Sequence, residues 1–155
     1  MAAGPSSTTT PIAWSIQTLA LGSVSFPIAR LSFQLYGRTI LPARVVTSVD
    51  CWIDTGAPLT VIPFHVHNQR LLWHSVPGLT TTWMGQRCDL GRVDVWLPTQ
   101  QPPNVRGPLS LLAKFARSDP PGPPVPVLLG LEFFLAHQAE FVLLLPPQHS
   151  VLRLP

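Results

Sequence analysis

Proline is the feature of this sequence that most restricts its fold, because 19 of the 155 residues are proline. Proline has no backbone N–H and breaks the interior of a helix, so long helices are not expected. Short strands joined by proline-rich turns fit this distribution better. Hydrophobic residues make up 46% of the chain and charged residues 11%, which indicates a packed core. The sequence therefore predicts one mostly-β domain.

Two stretches in the second half of the chain predict specific elements. Arg87–Leu97 predicts a strand. Near its end Arg92, Asp94 and Trp96 alternate with the apolar residues Val93, Val95 and Leu97, which is typical of a half-buried strand. Thr80–Trp83 predicts a second strand, and Met84–Gln86 a turn that joins the two into a hairpin. Further on, Val125–Leu129 predicts a strand and Leu131–His137 a short helix.

The domain boundary is predicted near residue 26. Met1–Pro11 consists mostly of small residues and prolines without periodicity, so residues 1–25 are expected to form a flexible N-terminal tail. Residues 26–155 are expected to form the folded domain. Its other expected elements are strands at Leu41–Val49 with Cys51–Ile53, Glu140–Leu145 and Ser150–Leu154, a turn at Gly37-Arg38, a short helix within Phe64–Trp73, a loop at Gln100–Pro108, and a strand or helix at Leu109–Ala116.

Charge and hydropathy argue against two classes of partner. The formal charge is +3, but the ten Lys and Arg residues are scattered singly, so nucleic-acid binding is not expected. The apolar run Val125–Leu135 is short and interrupted, so no membrane span is expected. No Lys or Arg precedes the apolar stretch Pro11–Ala29, which argues against a secretory signal. We therefore expect a cytoplasmic protein.

One short segment points to chemistry. An apolar strand is expected to end at Asp54, which is followed by Thr55, Gly56 and Ala57. Gly56 permits a tight turn, and its N–H is placed to donate to the Asp54 carboxylate. The Thr55 hydroxyl is placed to lock the loop from behind. A carboxylate held rigidly in this way suits acid–base catalysis. An ordinary turn is the competing interpretation, because Asp-Thr-Gly is only three residues long.

Water-activated hydrolysis of a peptide bond needs a second carboxyl group. One group takes a proton from water while the other donates a proton to the substrate carbonyl, and two close carboxylates achieve this because both do not ionise easily. Asp-Thr-Gly occurs once in the chain. The sequence therefore predicts a homodimer whose two-fold axis passes between the two Asp54 side chains.

The segment Trp52–Ala57, together with Leu59–Ile62 and the later Val127–Phe134, resembles the retropepsin-like (retroviral-type) aspartic proteases, in particular the single-domain bacterial versions. The resemblance covers most of the chain from Phe26 to Leu154, although only the first motif is specific. It implies a closed-barrel-like acid-protease lobe with one short C-terminal helix, assembled into a two-fold dimer. It also implies a peptide or protein substrate and no cofactor.

Carried onto this sequence, the resemblance matches Asp54 to the catalytic aspartate. Thr55, Gly56 and Ala57 match the active-site loop that contacts substrate. Leu129 and Gly130 match the end of the strand beneath that loop. The candidate flap carries Trp83, Met84 and Gly85, with Trp83 the best candidate for a substrate contact. The flap departs from the family pattern, because retroviral flap tips are rich in glycine and Leu79–Arg87 holds one glycine.

Two alternatives accompany this interpretation. A module that keeps the fold but only binds peptide or dimerises would explain the poor match of the flap. His65 and His67 could form a metal pair on a strand, but no third ligand of suitable spacing is evident, so no metal site is expected. Cys51 and Cys88 are expected to be small buried hydrophobes, with a single disulfide as the other possibility.

Overall fold

We describe residues 7–18, 25–36, 46–68, 73–142 and 150–155 of a computed structural model. The fold is mostly β, as the sequence predicts. Its elements in chain order are β1 Thr8–Pro11, β2 Ala13–Thr18, β3 Ser25–Tyr36, β4 Val46–Ile53, β5 Thr60–Ile62, α1 Phe64–His67, β6 Trp73–Trp83, β7 Gln86–Pro98, β8 Val105–Ala116, β9 Val127–Leu129, α2 Leu131–His137, β10 Glu140–Val142 and β11 Val151–Leu154.

These strands form two sheets. The larger sheet has the order β2-β3-β4-β9-β5-β8-β7-β6, and the smaller has the order β1-β11-β10. Most neighbours are antiparallel, but β9 runs parallel to β4, and β5 runs parallel to β8. Strand β9 therefore lies between β4 and β5, which are joined in the sequence only by the loop at residues 54–59.

The prediction of a closed barrel is wrong. The larger sheet keeps β2 and β6 as its outer strands, and β3 meets β7 only at Gln34–Trp96 and Leu35–Val95. The pairing of β7 with β8 shifts register between Val95 and Leu97. Such an irregularity bends a strand, and it falls at the point where β7 reaches β3. The contact between β3 and β7 is limited to these two residue pairs.

Two further expectations differ from the structure. The predicted flexible tail contains β1 and β2, because Thr8–Pro11 pairs with the C-terminal strand and Ala13–Thr18 pairs with β3. The resemblance implies one short helix, at the C-terminal end of the lobe, whereas the structure also has α1, the short helix that the sequence predicts within Phe64–Trp73. That helix spans four residues, and Trp73 begins a strand rather than ending a helix. The expected turn at Gly37-Arg38 lies outside the described residues.

The core lies between the sheets and α2. Its largest fully buried side chains come from β5, β7, β8, β9, α2 and β11, and they are Phe115, Phe133, Ile62, Leu97, Leu111, Leu129, Leu152, Leu154 and Val95. Leu109–Ala116 belongs to a strand, whose buried and exposed residues alternate along much of its length. Both cysteines are buried and do not form a disulfide.

The predicted hairpin is present. Strands β6 and β7 are paired from Trp83–Gln86 onward, and the turn consists of Met84 and Gly85. Both turn residues have positive φ, at 46° and 76°. This is the backbone that a two-residue hairpin turn requires, and glycine adopts it at little cost.

Candidate active-site loop

Asp54 lies directly beyond the end of β4, where the sequence predicts it. The parallel ladder pairs Ile53 with Leu129, and the Asp54 N–H continues it by donating to the Leu129 carbonyl oxygen at 3.0 Å. The aspartate is half-buried. Its backbone is thus fixed by the neighbouring strand.

The loop holds the carboxylate through its own backbone. The Gly56 N–H donates to Asp54 Oδ1 at 3.0 Å, as expected from the sequence. The Ala57 N–H donates to the Asp54 carbonyl oxygen at 3.1 Å and closes the turn. A Cβ atom at Gly56 would lie 3.3 Å from Asp54 Oδ1, a tight contact that a shift of a few tenths of an ångström in the carboxylate would relieve.

Thr55 does not brace the loop as predicted. It is exposed, and its hydroxyl makes no hydrogen bond within the part of the chain that is described. A different threonine has that role: Thr60 is fully buried, and its Oγ1 accepts a hydrogen bond of 3.1 Å from the Gly130 N–H. No sequence signal marks this contact, because Thr60 opens an apolar run and looks like part of an ordinary strand.

Gly130 packs directly beneath the loop. A Cβ atom here would lie 2.4 Å from the carbonyl carbon of Leu59 and 2.8 Å from the Thr60 nitrogen. Only glycine fits at such distances, because those neighbours are backbone atoms that cannot rotate away. Leu129, which precedes it, is fully buried in β9. The structure therefore brings the two predicted residues beneath the site into contact with the loop.

The first turn of α2 is bonded to the same loop. The Leu131 N–H donates to the Ala57 carbonyl oxygen at 2.9 Å, and the Glu132 N–H donates to the Pro58 carbonyl oxygen at 3.1 Å. The first N–H groups of a helix have no partner inside it, so the loop satisfies them. Asp54 is thus held on a loop fixed by β9 on one side and by α2 on another.

Glu132 brings a second carboxyl group to this region, and sequence reasoning assigned it no role. The residue is half-buried, and its Oε2 atom is buried without a hydrogen-bond partner among the residues described. A buried acceptor without a partner is costly. No sequence signal distinguishes Glu132 from an ordinary acidic residue in the first turn of a helix.

The candidate flap lies at the tip of the β6–β7 hairpin, and no described hydrogen bond links it to the Asp54 loop. Trp83 is half-buried, Met84 is 63% exposed and Gly85 is exposed. The hairpin is attached to β8 by Lys114 Nζ, which donates to the Thr82 carbonyl oxygen at 3.3 Å.

An ion pair fixes the hairpin further from its tip. Arg117 donates from Nε to Asp89 Oδ2 at 2.9 Å and from Nη2 to Oδ1 at 2.6 Å. These hydrogen bonds from the guanidinium hold the pKa of Asp89 below its usual value. A bidentate pair of this kind gives a defined geometry, so β7 and the segment after β8 are held together.

The two histidines of α1 make structural contacts. His65 Nδ1 lies 3.0 Å from Asp119 Oδ1, while His67 donates from Nε2 to the Ala116 carbonyl oxygen at 2.8 Å. The His67 ring makes edge contacts with Phe64, Trp73 and Phe115, and burial lowers its pKa. Within the described ranges no three His, Cys, Asp or Glu residues are grouped so as to hold a metal ion.

A separate cavity of about 480 Å³ lies between the two sheets and does not include Asp54. It is lined by Thr10, Pro11, Ile12, Arg30, Ser32, Asp50 and Pro98. Asp50 accepts hydrogen bonds from Arg30 at 2.6 Å and from Ser32 at 2.9 Å. The two charged residues that line this cavity, Arg30 and Asp50, are therefore paired with each other.

Comparison with known proteins adds no assignment. No known family model matches this chain, and no curated protein matches it. No helix in the described part of the chain has the length and apolar character needed to cross a membrane. The functional interpretation therefore depends on the local geometry of the Asp54 loop.

Proposed function

We propose that this chain is one half of a retropepsin-like aspartic endopeptidase that acts in the cytoplasm. The active site would form where two copies bring their Asp54 carboxylates together across a two-fold axis. The observation that carries the proposal is the hydrogen bond of 3.0 Å from the Gly56 N–H to Asp54 Oδ1. It holds an accessible carboxylate at the end of a strand, in a loop fixed by β9 and α2.

The proposed chemistry assigns different protonation states to the two carboxyl groups. One ionised Asp54 removes a proton from water, and the resulting hydroxide attacks the scissile carbonyl carbon. The other, protonated Asp54 donates its proton to the carbonyl oxygen, which gives a tetrahedral diol. The diol then collapses and its C–N bond breaks: the first Asp54 gives its proton to the leaving amine nitrogen, and the second takes a proton from a diol hydroxyl, so a carboxylic acid and an amine leave and both carboxyl groups return to their starting states. Two carboxylates this close together repel each other, which favours a pair that shares one proton.

Several observations support this proposal beyond the three-residue motif. Strand β9 lies between β4 and β5, and Gly130 follows it in close contact with the loop backbone. An ordinary surface turn does not need a glycine packed beneath it or a helix bonded to its carbonyl groups. The substrate would be an extended peptide, with the β6–β7 hairpin as the flap and Trp83 as its contact residue.

The decisive variant is Asp54→Asn, which keeps the shape of the side chain and removes its acid–base function. Purified protein should cleave a mixture of unfolded polypeptides between pH 4 and 7, and a pepstatin-type inhibitor should block the cleavage. We expect the variant to lose at least about 10³-fold in rate, as is usual for an essential catalytic group. Asp94→Asn is the matched control, because Asp94 is exposed on β7.

The outcomes separate catalysis from binding. Equal cleavage by wild type and Asp54→Asn would contradict the proposal. A dimer that binds extended peptides without cleaving them would instead support the non-catalytic module. That second candidate is favoured by the flap, whose turn is a tight two-residue connection with one glycine.

A further inference from the structure

Strand β8 supports the β6–β7 hairpin almost to its turn. The ladder between β7 and β8 continues to the pair Cys88–Ala116, and the Arg117 N–H extends it by donating to the Arg87 carbonyl oxygen at 2.8 Å. The turn ends at Gly85, so this last hydrogen bond lies two residues beyond it. A hairpin of two strands is only marginally stable by itself, whereas here a third strand runs beside nearly its full length.

Two side chains that follow β8 add contacts to β7. The Arg117 guanidinium forms its bidentate pair with Asp89, with N···O distances of 2.9 and 2.6 Å, and Ser118 Oγ donates to Gln86 Oε1. Gln86 immediately follows the turn, so the second contact reaches the tip of the hairpin. A guanidinium bonded at two of its nitrogen atoms has a defined orientation. The outer part of β7 is therefore attached at both of its ends.

The other strand of the hairpin and the attaching segment are themselves fixed. Lys114 Nζ donates to the Thr82 carbonyl oxygen at 3.3 Å, directly before Trp83. Asp119 accepts a hydrogen bond of 3.0 Å from the His65 N–H, and its Oδ1 lies 3.0 Å from His65 Nδ1. His65 belongs to α1. The segment after β8 thus connects the hairpin to a helix in another part of the domain.

The hairpin has one irregularity at which a lid could bend. The pairing of β6 with β7 shifts register between Ser75 and Thr80, and Gly78 in this stretch has a φ of 76° with open space around it. A hinge needs a few residues that absorb backbone rotation. The shift leaves β7 paired with β8 from Cys88 to Val95. It therefore does not free the hairpin as a whole.

We propose that Arg117 and Ser118 are positioning residues that hold the hairpin turn in place, so that the hairpin is a fixed wall of the substrate cleft and not a lid. The inference rests on the proposed function, in which Trp83 contacts the substrate. Trp83 pairs across the turn with Gln86, the residue that Ser118 holds. A contact residue fixed before binding needs no ordering when the peptide arrives, which reduces the entropic cost of binding.

Hydrogen exchange measured by mass spectrometry tests this attachment without any need for catalytic activity. The double variant Arg117→Gln, Ser118→Ala should raise the exchange rates of amides in residues 82–89 about fivefold or more, because it removes the side-chain hydrogen bonds that oppose local opening. Exchange in β3 and β4 should stay unchanged, which shows that the variant remains folded. Unchanged rates in residues 82–89 would overturn the proposal.

The matched control is Arg92→Gln. Arg92 is exposed on the same strand, and its side chain makes no hydrogen bond among the residues described, so hairpin exchange should equal that of wild type. In the active enzyme, the double variant should raise KM with little change in kcat, because a mobile Trp83 weakens the binding of substrate and transition state equally. An unchanged KM would contradict a role in positioning the contact residue.

A covalent link distinguishes a fixed wall from a lid. In the variant Gln86→Cys, Ser118→Cys, a short bis-maleimide reagent joins the hairpin turn to the segment after β8, while Cys51 and Cys88 are fully buried and should not react. The same variant treated with N-ethylmaleimide is the control, since it carries similar bulk without the link. A fixed wall predicts equal rates of peptide cleavage by the two preparations.

The outcomes of the linking experiment separate this inference from the proposed function. A loss of cleavage of about tenfold or more in the linked protein alone would show that the hairpin must open, and it would overturn the inference while leaving the proposed enzyme intact. A wild type that cleaves no peptide, but whose hairpin amides exchange faster in the double variant, would contradict the proposed function and support the attachment of the hairpin.

Discussion

The backbone N–H of Gly130 donates to Thr60 Oγ1 across 3.1 Å in the interior of the protein. This contact joins the end of β9 to the start of β5, which are otherwise paired at a single position, Val61–Leu128. The loop that carries Asp54 is held between these two strands. A side chain six residues away from the aspartate therefore helps to fix the backbone of the candidate site.

Replacing Thr60 with valine should destabilise the protein. Valine keeps nearly the same shape but leaves the buried Gly130 N–H without an acceptor, which costs about 1–3 kcal/mol. The free energy of unfolding, measured by urea titration, should fall by that amount. Thr60→Ser retains the hydroxyl and is the control for the lost hydrogen bond. A Val variant as stable as the Ser variant would show that the hydrogen bond contributes little.

Replacing Gly130 with alanine should be more severe. The added Cβ would overlap the Leu59 carbonyl carbon and the Thr60 nitrogen, so β5 and β9 would have to separate. We expect a loss of about 3 kcal/mol or more in unfolding free energy, since overpacking against backbone has no inexpensive relief. Gly56→Ala is the comparison, because its nearest contact is a side-chain oxygen at 3.3 Å. Equal stability of both variants, measured by thermal unfolding, would contradict this reasoning.

Stability should fall as the pH is lowered below about 6.5, the ordinary pKa of histidine. Burial lowers the pKa of His67 in the folded protein, so between the folded and unfolded pKa values the unfolded chain binds more protons. In this pH range the free energy of unfolding therefore increases as the pH is raised and decreases as the pH is lowered. Urea titrations from pH 7.5 to pH 5 measure the slope.

Two histidine variants test whether His67 causes this pH dependence. His67→Gln removes the titrating group and should flatten the slope in this range, whereas His74→Gln, at an exposed position, should leave it unchanged. An unaltered slope in His67→Gln would assign the dependence to another group. Asp89, whose pKa is lowered by Arg117, adds a separate loss only at more acidic pH, near the ordinary aspartate range.

Substitutions at Gly85, in the turn of the β6–β7 hairpin, should lower the stability of the protein by different amounts. Its φ of 76° is favourable for glycine and tolerable for asparagine. Gly85→Val should cost about 1–3 kcal/mol, because a β-branched residue is strained there. Gly85→Asn should cost less. Thermal unfolding of both variants measures the difference, and no Cβ clash complicates it because nothing lies within 4 Å. Equal melting temperatures for the two variants would contradict the assigned turn geometry.

Local features of this fold could be predicted from the sequence. The helix Leu131–His137 has the predicted boundaries, and the predicted hairpin turns at Met84 and Gly85. The hydrogen bond from Gly56 to Asp54 also follows from local chemistry, because an aspartate side chain commonly accepts from the backbone N–H two residues further on. Each of these features is decided by residues close together in the chain.

Features that depend on distant residues could not be predicted. Thr60 is an acceptor only because β9 lies beside β5, with 70 residues separating the bonded groups. The sequence predicts a tail at Thr8–Pro11, because these four residues show no periodicity. They form a strand by pairing with β11, and Thr9 is also bonded to Gln100 and Gln101. The extent of sheet closure likewise depends on where β7 bends toward β3, which no local sequence signal encodes.

The pairing of β1 with β11 has a consequence for how the chain folds. Thr8 lies opposite Leu154, so the two strands are separated by 146 residues, the difference of their numbers. The smaller sheet cannot form on the ribosome before residue 154 has been synthesised and released. Contacts this distant in sequence slow folding, since the loop must close before they contribute. Strand β1 therefore stays unpaired with β11 until residue 154 has been synthesised, and an unpaired strand edge is open to aggregation during that time.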